Sequence, residues 1–168
     1  MKVRILVSIF LLQIQILSAS AIIQADVLAA DAMAAKYRTG KIDPAIASIP
    51  YHIRSHIFIK PEQYLKKLVD FFTVDADNDY HIVKRIHDWI ADTIAYEFRA
   101  ETRIYKFLKL KKTNCTGYSV LFKTMAQYAG IHAVIVFGYS RTYLFSNGKQ
   151  GNHAWNIVTI NGKKYLVD

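Results

Sequence analysis

Two short segments of alternating character, 153–160 and 163–168, meet at Asn161-Gly162, and that dipeptide constrains the chain more than any other feature. Asn-Gly suits a two-residue type I′ turn, whose central residues both take positive φ, and such a turn fixes the register of the strands it joins. Counting outward pairs Ile160 with Lys163 and puts Asp168 opposite Trp155. Side chains alternate along a strand, so His153, Trp155 and Asp168 share one face. His153 then lies on the diagonal from Asp168 at roughly 7–8 Å between backbones, within reach of a His–Asp contact.

Upstream, the pattern changes from alternation to helical spacing. Ile82, Ile86, Trp89, Ile90 and Ile94 fall on one face of a helix read over 79–97, with Lys84, Arg85 and Asp88 turned away from it. A second helix, from Cys115 to Ala129, closes at Gly130 and carries the stripe Tyr118, Phe122, Met125 and Ala129. Cys115 is three residues before Tyr118, so it points with that stripe toward the sheet. Residues 132–138, with Val134, Ile135, Val136 and Phe137, read as a strand, followed by a loop through Gly148 and Gly151. Pro61 suits the first turn of a helix ending near Phe72. The segment 39–59 reads as an extended approach and the alanine-rich 22–38 as a loosely held helical arm. In 98–113, Arg103, Lys106, Lys109, Lys111 and Lys112 alternate with Tyr105, Phe107, Leu108 and Leu110. That cluster is either a solvated rim or an anion-binding lip beside a site.

The N-terminus sets the compartment. Lys2 and Arg4 precede an apolar run from Ile5 that ends in Ala19-Ser20-Ala21, the pattern of a secretory signal over residues 1–21. Gln13 and Gln15 interrupt the run, which is too short for a spanning helix, so no stable transmembrane anchor is expected. The organisation is then a signal, an N-terminal arm over 22–60 and one domain over 61–168, in a secreted or periplasmic protein. Removal of Lys2 and Arg4 with the signal takes the net charge from +9 to +7 (9 − 2), an excess that favours anionic surfaces such as cell-envelope polymers or lipid headgroups, and export argues against nucleic acid. A single cysteine forms no internal disulfide. Cys115 is therefore either a small buried hydrophobe or a thiol kept for its reactivity.

The reactive reading has a physical basis. A cysteine in the first turn of a helix, capped by Thr113 or Asn114, sits where unpaired N–H groups and the helix dipole stabilise a thiolate. His153 is the candidate base and Asp168 the residue that orients it, a nucleophile–base–orienter set that recurs on unrelated folds.

Five stretches in order carry a resemblance. They are Ile86-His87-Asp88-Trp89-Ile90 with Ile94-Ala95-Tyr96-Glu97, then Asn114-Cys115-Thr116-Gly117-Tyr118-Ser119, Gly138-Tyr139, His153-Ala154-Trp155-Asn156, and Tyr165-Leu166-Val167-Asp168. Together they resemble the transglutaminase-like superfamily, in particular its microbial and kyphoscoliosis-peptidase-like branch. The resemblance implies an α+β, papain-like core in which a cysteine-bearing helix packs on an antiparallel sheet. It places the nucleophile on Cys115, the base on His153 and the acid on Asp168, and makes Trp89 and Tyr96 core or scaffold residues. Trp155, next to the histidine, packs either beside the site or, as the favoured reading, in the core. The family continues past the acid through an aromatic residue and further sheet, so the domain reads as C-terminally truncated. No Trp or Gln upstream of Cys115 offers itself as side-chain donor to an oxyanion, which leaves the Cys115 N–H, with Arg103 or Tyr105 as substitutes.

The chemistry so implied is thioester-forming acyl transfer on a protein or peptide, resolved by water in a peptidase or amidase, or by an amine in a cross-linking enzyme. Hydrolysis is the favoured outcome, and no cofactor or metal is needed. The alternative is a catalytically inactive module that keeps the fold for binding. His52 and His56 have i, i+4 spacing, but Pro50 precedes them and no third ligand follows, so a metal site is not expected. His81, His87 and His132 read as surface or structural residues.

Overall fold

The computed structural model describes residues 28–29, 32, 35–37, 40–54, 60–140 and 151–168. The signal at 1–21, the loop over 141–150 and His56 lie outside the described residues. The chain forms two compact units, Met1–Thr39 and Gly40–Asp168. In the first, the described residues are helical, in keeping with the alanine-rich composition.

The second unit opens with a 3₁₀ turn, Pro44–Ile46, capped by the Asp43 carboxylate, which accepts from the Ala45 N–H. A short helix α1, Tyr51–Arg54, follows. This part was expected to be extended. Ile46, Ile49 and Ile53 are instead buried, and a turn brings residues at that spacing to one side. Helix α2, Pro61–Thr73, starts at its proline and buries Leu65, Leu68, Val69 and Phe72. Helix α3, Asp79–Thr93, is capped by the Asn78 side chain, which accepts from the His81 N–H. It stops four residues short of the helix read over 79–97, because Ala95–Tyr96 leaves it as a two-residue strand β1. The basic stretch holds helix α4, Ile104–Leu110, which buries Phe107 and Leu108. Strand β2, Lys112–Thr113, then pairs parallel with β1.

Helix α5, Cys115–Tyr128, packs against the sheet formed by β3 (His132–Ser140), β4 (Gly151–Ile160) and β5 (Lys163–Val167). The sheet is antiparallel in the order β3-β4-β5. At the turn, Asn161 and Gly162 have φ of 51° and 76°, and Ile160 pairs with Lys163. Both are the predicted values of a type I′ hairpin. The core lies between the helices and the inner face of the sheet: Leu121, Phe122, Met125 and Ala126 of α5 meet Ala133, Ala154, Val158 and Ile160. Each fully buried large side chain contributes about 1.5–3 kcal/mol.

Two assignments on α3 are corrected. Arg85 and Asp88 are not turned to solvent but are 4% and 6% exposed. Asp88 Oδ2 accepts from the Asp43 N–H at 2.7 Å and from Lys84 Nζ at 2.6 Å. Arg85 Nη1 donates to the Phe72 carbonyl at 2.9 Å and to Asp75. The segment around Asp43 lies over this polar side of α3, so its charges are buried against partners rather than water.

Candidate active site

The site is built from two chain segments, the start of α5 and the β4–β5 hairpin. Cys115 is the first residue of α5 and is half-buried. Asn114 caps the helix, its Oδ1 accepting from the Gly117 N–H at 3.2 Å. Thr113 is not the cap: its hydroxyl donates to the Glu101 carbonyl at 2.7 Å, and the Glu97 N–H donates to the Thr113 carbonyl at 2.8 Å. Gly117 is the close-approach residue of this turn, since a Cβ there would stand 1.8 Å from Thr113 Oγ1. The backbone entering Cys115 is thus held by the 97–101 segment on one side and by its own helix on the other.

His153 and Asp168 come from the hairpin. The observed ladder runs to Asn156 opposite Val167, so the next step brings Trp155 opposite Asp168, as counted from the turn. His153 Nε2 lies 2.8 Å and 2.9 Å from the two carboxylate oxygens of Asp168. A carboxylate only accepts, so Nε2 carries the proton and Nδ1 is left as the basic nitrogen. Trp155 is half-buried and tilted beside the imidazole, with ring centroids 5.8 Å apart, rather than lost in the core.

Cys115, His153 and Asp168 all line one cavity of about 330 Å³. Its walls also include Phe122, Trp155 and Val167, which give it an apolar lining, and His87 and Tyr96, neither of which was singled out for the site from the sequence. His87 stands on α3 and bonds Asp88 Oδ1 through Nδ1 at 3.1 Å, in keeping with the surface or structural role read for it. Tyr96 is 56% exposed, not a core residue. Its ring stacks on Tyr118 at 6.2 Å, and the Tyr118 hydroxyl donates to the Ile94 carbonyl at 2.6 Å. Burial pushes the Tyr96 phenol up from its ordinary value, and the neighbouring Cys115 charge adds to the shift.

Neither Arg103 nor Tyr105, the expected substitutes for an oxyanion donor, lines the cavity. Arg103 is held by Glu101 Oε2 at 2.6 Å, and its hydrogen bonds bring the Glu101 carboxyl down to about 2. Tyr105 is exposed on α4. Lys112 pairs with Glu97 at 2.7 Å. Arg103, Lys106 and Lys112 of the basic stretch thus carry their own counter-charges. Among the described residues, no three His, Cys, Asp or Glu side chains are grouped to hold a metal ion. Among them, too, no helix is long and apolar enough to cross a membrane.

Residues 66–167 match the profile of the transglutaminase-like superfamily. Kyphoscoliosis peptidase from Mus musculus is 35% identical over 115 residues, covering 62% of this chain and 17% of that protein. The Homo sapiens kyphoscoliosis peptidase is 34% identical over the same length. This chain thus spans about a sixth of those relatives. Among solved structures, a candidate cysteine protease from Cytophaga hutchinsonii superposes with a TM-score of 0.53 at 20% identity, over 75% of this chain and 44% of that one. A TGase superposes with a TM-score of 0.52 at 17% identity, over 64% of this chain and 30% of that one. The structural likenesses give the fold, a papain-like α+β core with the cysteine helix on an antiparallel sheet. The profile match runs from α2 through β5, and the chain belongs to the transglutaminase-like superfamily.

Proposed function

We propose that this chain is an exported cysteine-dependent acyl-transfer enzyme, with Cys115 as nucleophile, His153 as base and Asp168 as its orienter. One observation carries the reading: the doubly bonded His153–Asp168 pair and the helix-capped Cys115 line a single apolar cavity. His153 Nδ1 takes the thiol proton, and the imidazolium is steadied by Asp168. The thiolate attacks a carboxamide or peptide carbonyl. When the tetrahedral intermediate collapses, the C–N bond breaks and His153 gives its proton to the departing amine. Water, deprotonated by His153, then attacks the thioester, the C–S bond breaks, and a carboxylic acid leaves. We favour hydrolysis of protein or cell-envelope peptides over transfer to a second amine. The signal-like residues 1–21 support export, and the net positive charge suits an anionic envelope.

The test is the pH dependence of iodoacetamide labelling of Cys115, compared in wild type, His153→Ala and Asp168→Ala. A wild-type thiol that titrates below the ordinary cysteine range of about 8.5, and moves up in His153→Ala, supports the reading. Peptide hydrolysis should fall on the order of 10³-fold or more in the His153 variant. A thiol that titrates alike in all three proteins refutes the enzyme and leaves the fold as a binding module.

A further inference from the structure

We infer that the Tyr96 hydroxyl is the side-chain donor that stabilises the oxyanion formed at Cys115, working with the Cys115 backbone N–H. This rests on the acyl-transfer reading and supplies the group that reading lacks. The cavity has few polar side chains free for the task. Tyr118 Oη is spent on the Ile94 carbonyl, and Asn156 Nδ2 on the carbonyls of Ser119 and Val134 at 3.1 Å and 3.4 Å. Ser119 is 2% exposed. Trp155 flanks the base, and His87 Nδ1 is on Asp88. The Tyr96 hydroxyl has no hydrogen-bond partner among the described residues, and its ring borders the cavity. The Trp155 indole N–H and His87 Nε2 share that freedom, but Trp155 lies against the His153 ring and His87 is carried on α3, whereas Tyr96 is tied to the segment that leads into Cys115.

Its placement is tied to the nucleophile by backbone. Tyr96 pairs with Thr113, two residues before Cys115, through the β1–β2 bridge. The ring is then held flat against Tyr118, the residue three beyond Cys115 on the same helix face. One side chain is thereby referenced to both flanks of the nucleophile. The Cys115 N–H, in the first turn of α5, is one of the donors a helix cannot satisfy internally. A negative charge at Cys115 keeps the phenol protonated, which is the state a donor needs.

In the step itself, Sγ bonds to the carbonyl carbon and the C=O π pair moves onto oxygen. That oxygen accepts from Tyr96 O–H and Cys115 N–H. When the π bond re-forms, the C–N bond breaks, and the amine leaves with the proton held on His153. Neither donor transfers a proton.

Alkylation and acylation of the same thiol separate this role from a structural one. Iodoacetamide reacts by displacement at a saturated carbon and forms no oxyanion, whereas a p-nitrophenyl ester of an acylated amino acid acylates through one. Tyr96→Phe should cut the acylation rate by about 10²-fold or more. Its iodoacetamide rate and thiol titration should remain as in wild type. Equal acylation by Tyr96→Phe and wild type overturns the inference alone. A parallel fall in both reactions also overturns it, making Tyr96 a support for the cysteine; circular dichroism of Tyr96→Phe shows whether the fold is kept, and Tyr96→Trp, which restores a ring N–H donor, should recover part of the acylation rate if the donor role is right. A wild-type thiol that alkylates with an ordinary titration and never acylates sinks the enzymatic reading, and this inference with it.

Discussion

Asp88 joins the Asp43 N–H upstream to two groups of its own helix, the Lys84 ammonium and the His87 imidazole that borders the cavity. Burial alone would raise its carboxyl, but the hydrogen bonds from His87 and Lys84 outweigh it and the group ends below its ordinary range. A carboxyl lowered in the folded state contributes stability above its unfolded value of about 4, and that contribution is lost as pH falls through the lowered value. Asp88→Asn should therefore cost about 1–3 kcal/mol at neutral pH in urea unfolding. The difference from wild type should shrink below about pH 4, and a constant gap across pH would contradict the charge assignment. Periodicity could not reveal this residue. A stripe of Ile86, Trp89 and Ile90 marks the apolar face, yet nothing in α3 itself says that a segment 45 positions upstream covers the opposite one. His87 and Tyr96 escaped for a related reason. Their roles come from which cavity they border, not from any spacing along the chain.

The hairpin is the element that sequence rendered most completely, because a two-residue turn leaves no freedom of register once Asn161 and Gly162 take positive φ. The His153–Asp168 contact follows from that count alone. Inserting one glycine between Asn161 and Gly162 should carry Asp168 to the other face of β5. Thiol titration would then match that of Asp168→Ala while circular dichroism stays near wild type; unchanged titration would mean that the strand re-forms its old register around a bulge. Helix α5 was equally legible from its cap, stripe and closing glycine. The β1–β2 pair was not, since two residues per strand carry no period to detect, and their pairing rests on the Ala95 and Glu97 N–H groups donating to the Lys111 and Thr113 carbonyls. The early end of α3 has the same origin: Ala95 leaves the helix to bond the Lys111 carbonyl at 2.8 Å.

At the scale of the whole domain, the helical layer and the sheet are joined across the cavity by a few polar bonds set in an apolar core. Asn156 is 2% exposed on the inner face of β4 and donates to the Ser119 carbonyl of α5. Tyr80 of α3 and Tyr165 of β5 meet edge to face, their hydroxyls 2.9 Å apart. Asn156→Leu keeps the branching and the number of heavy atoms, adds the bulk of two methyl groups, and leaves the carbonyls of Ser119 and Val134 without this donor. A loss of about 1–3 kcal/mol is expected by thermal or urea unfolding, together with slower thiol acylation. Normal acylation at reduced stability would show that Asn156 only holds the core. The joint also has a mechanical meaning. His153 and Asp168 ride on one hairpin, while Cys115 rides on a helix held to that hairpin by side chains. A slide of α5 against the sheet would leave the His153–Asp168 pair whole and alter only its gap to Cys115. The domain is built like a clutch, one plate carrying that pair and the other the sulfur, so that a slip between the plates would separate them with each still intact.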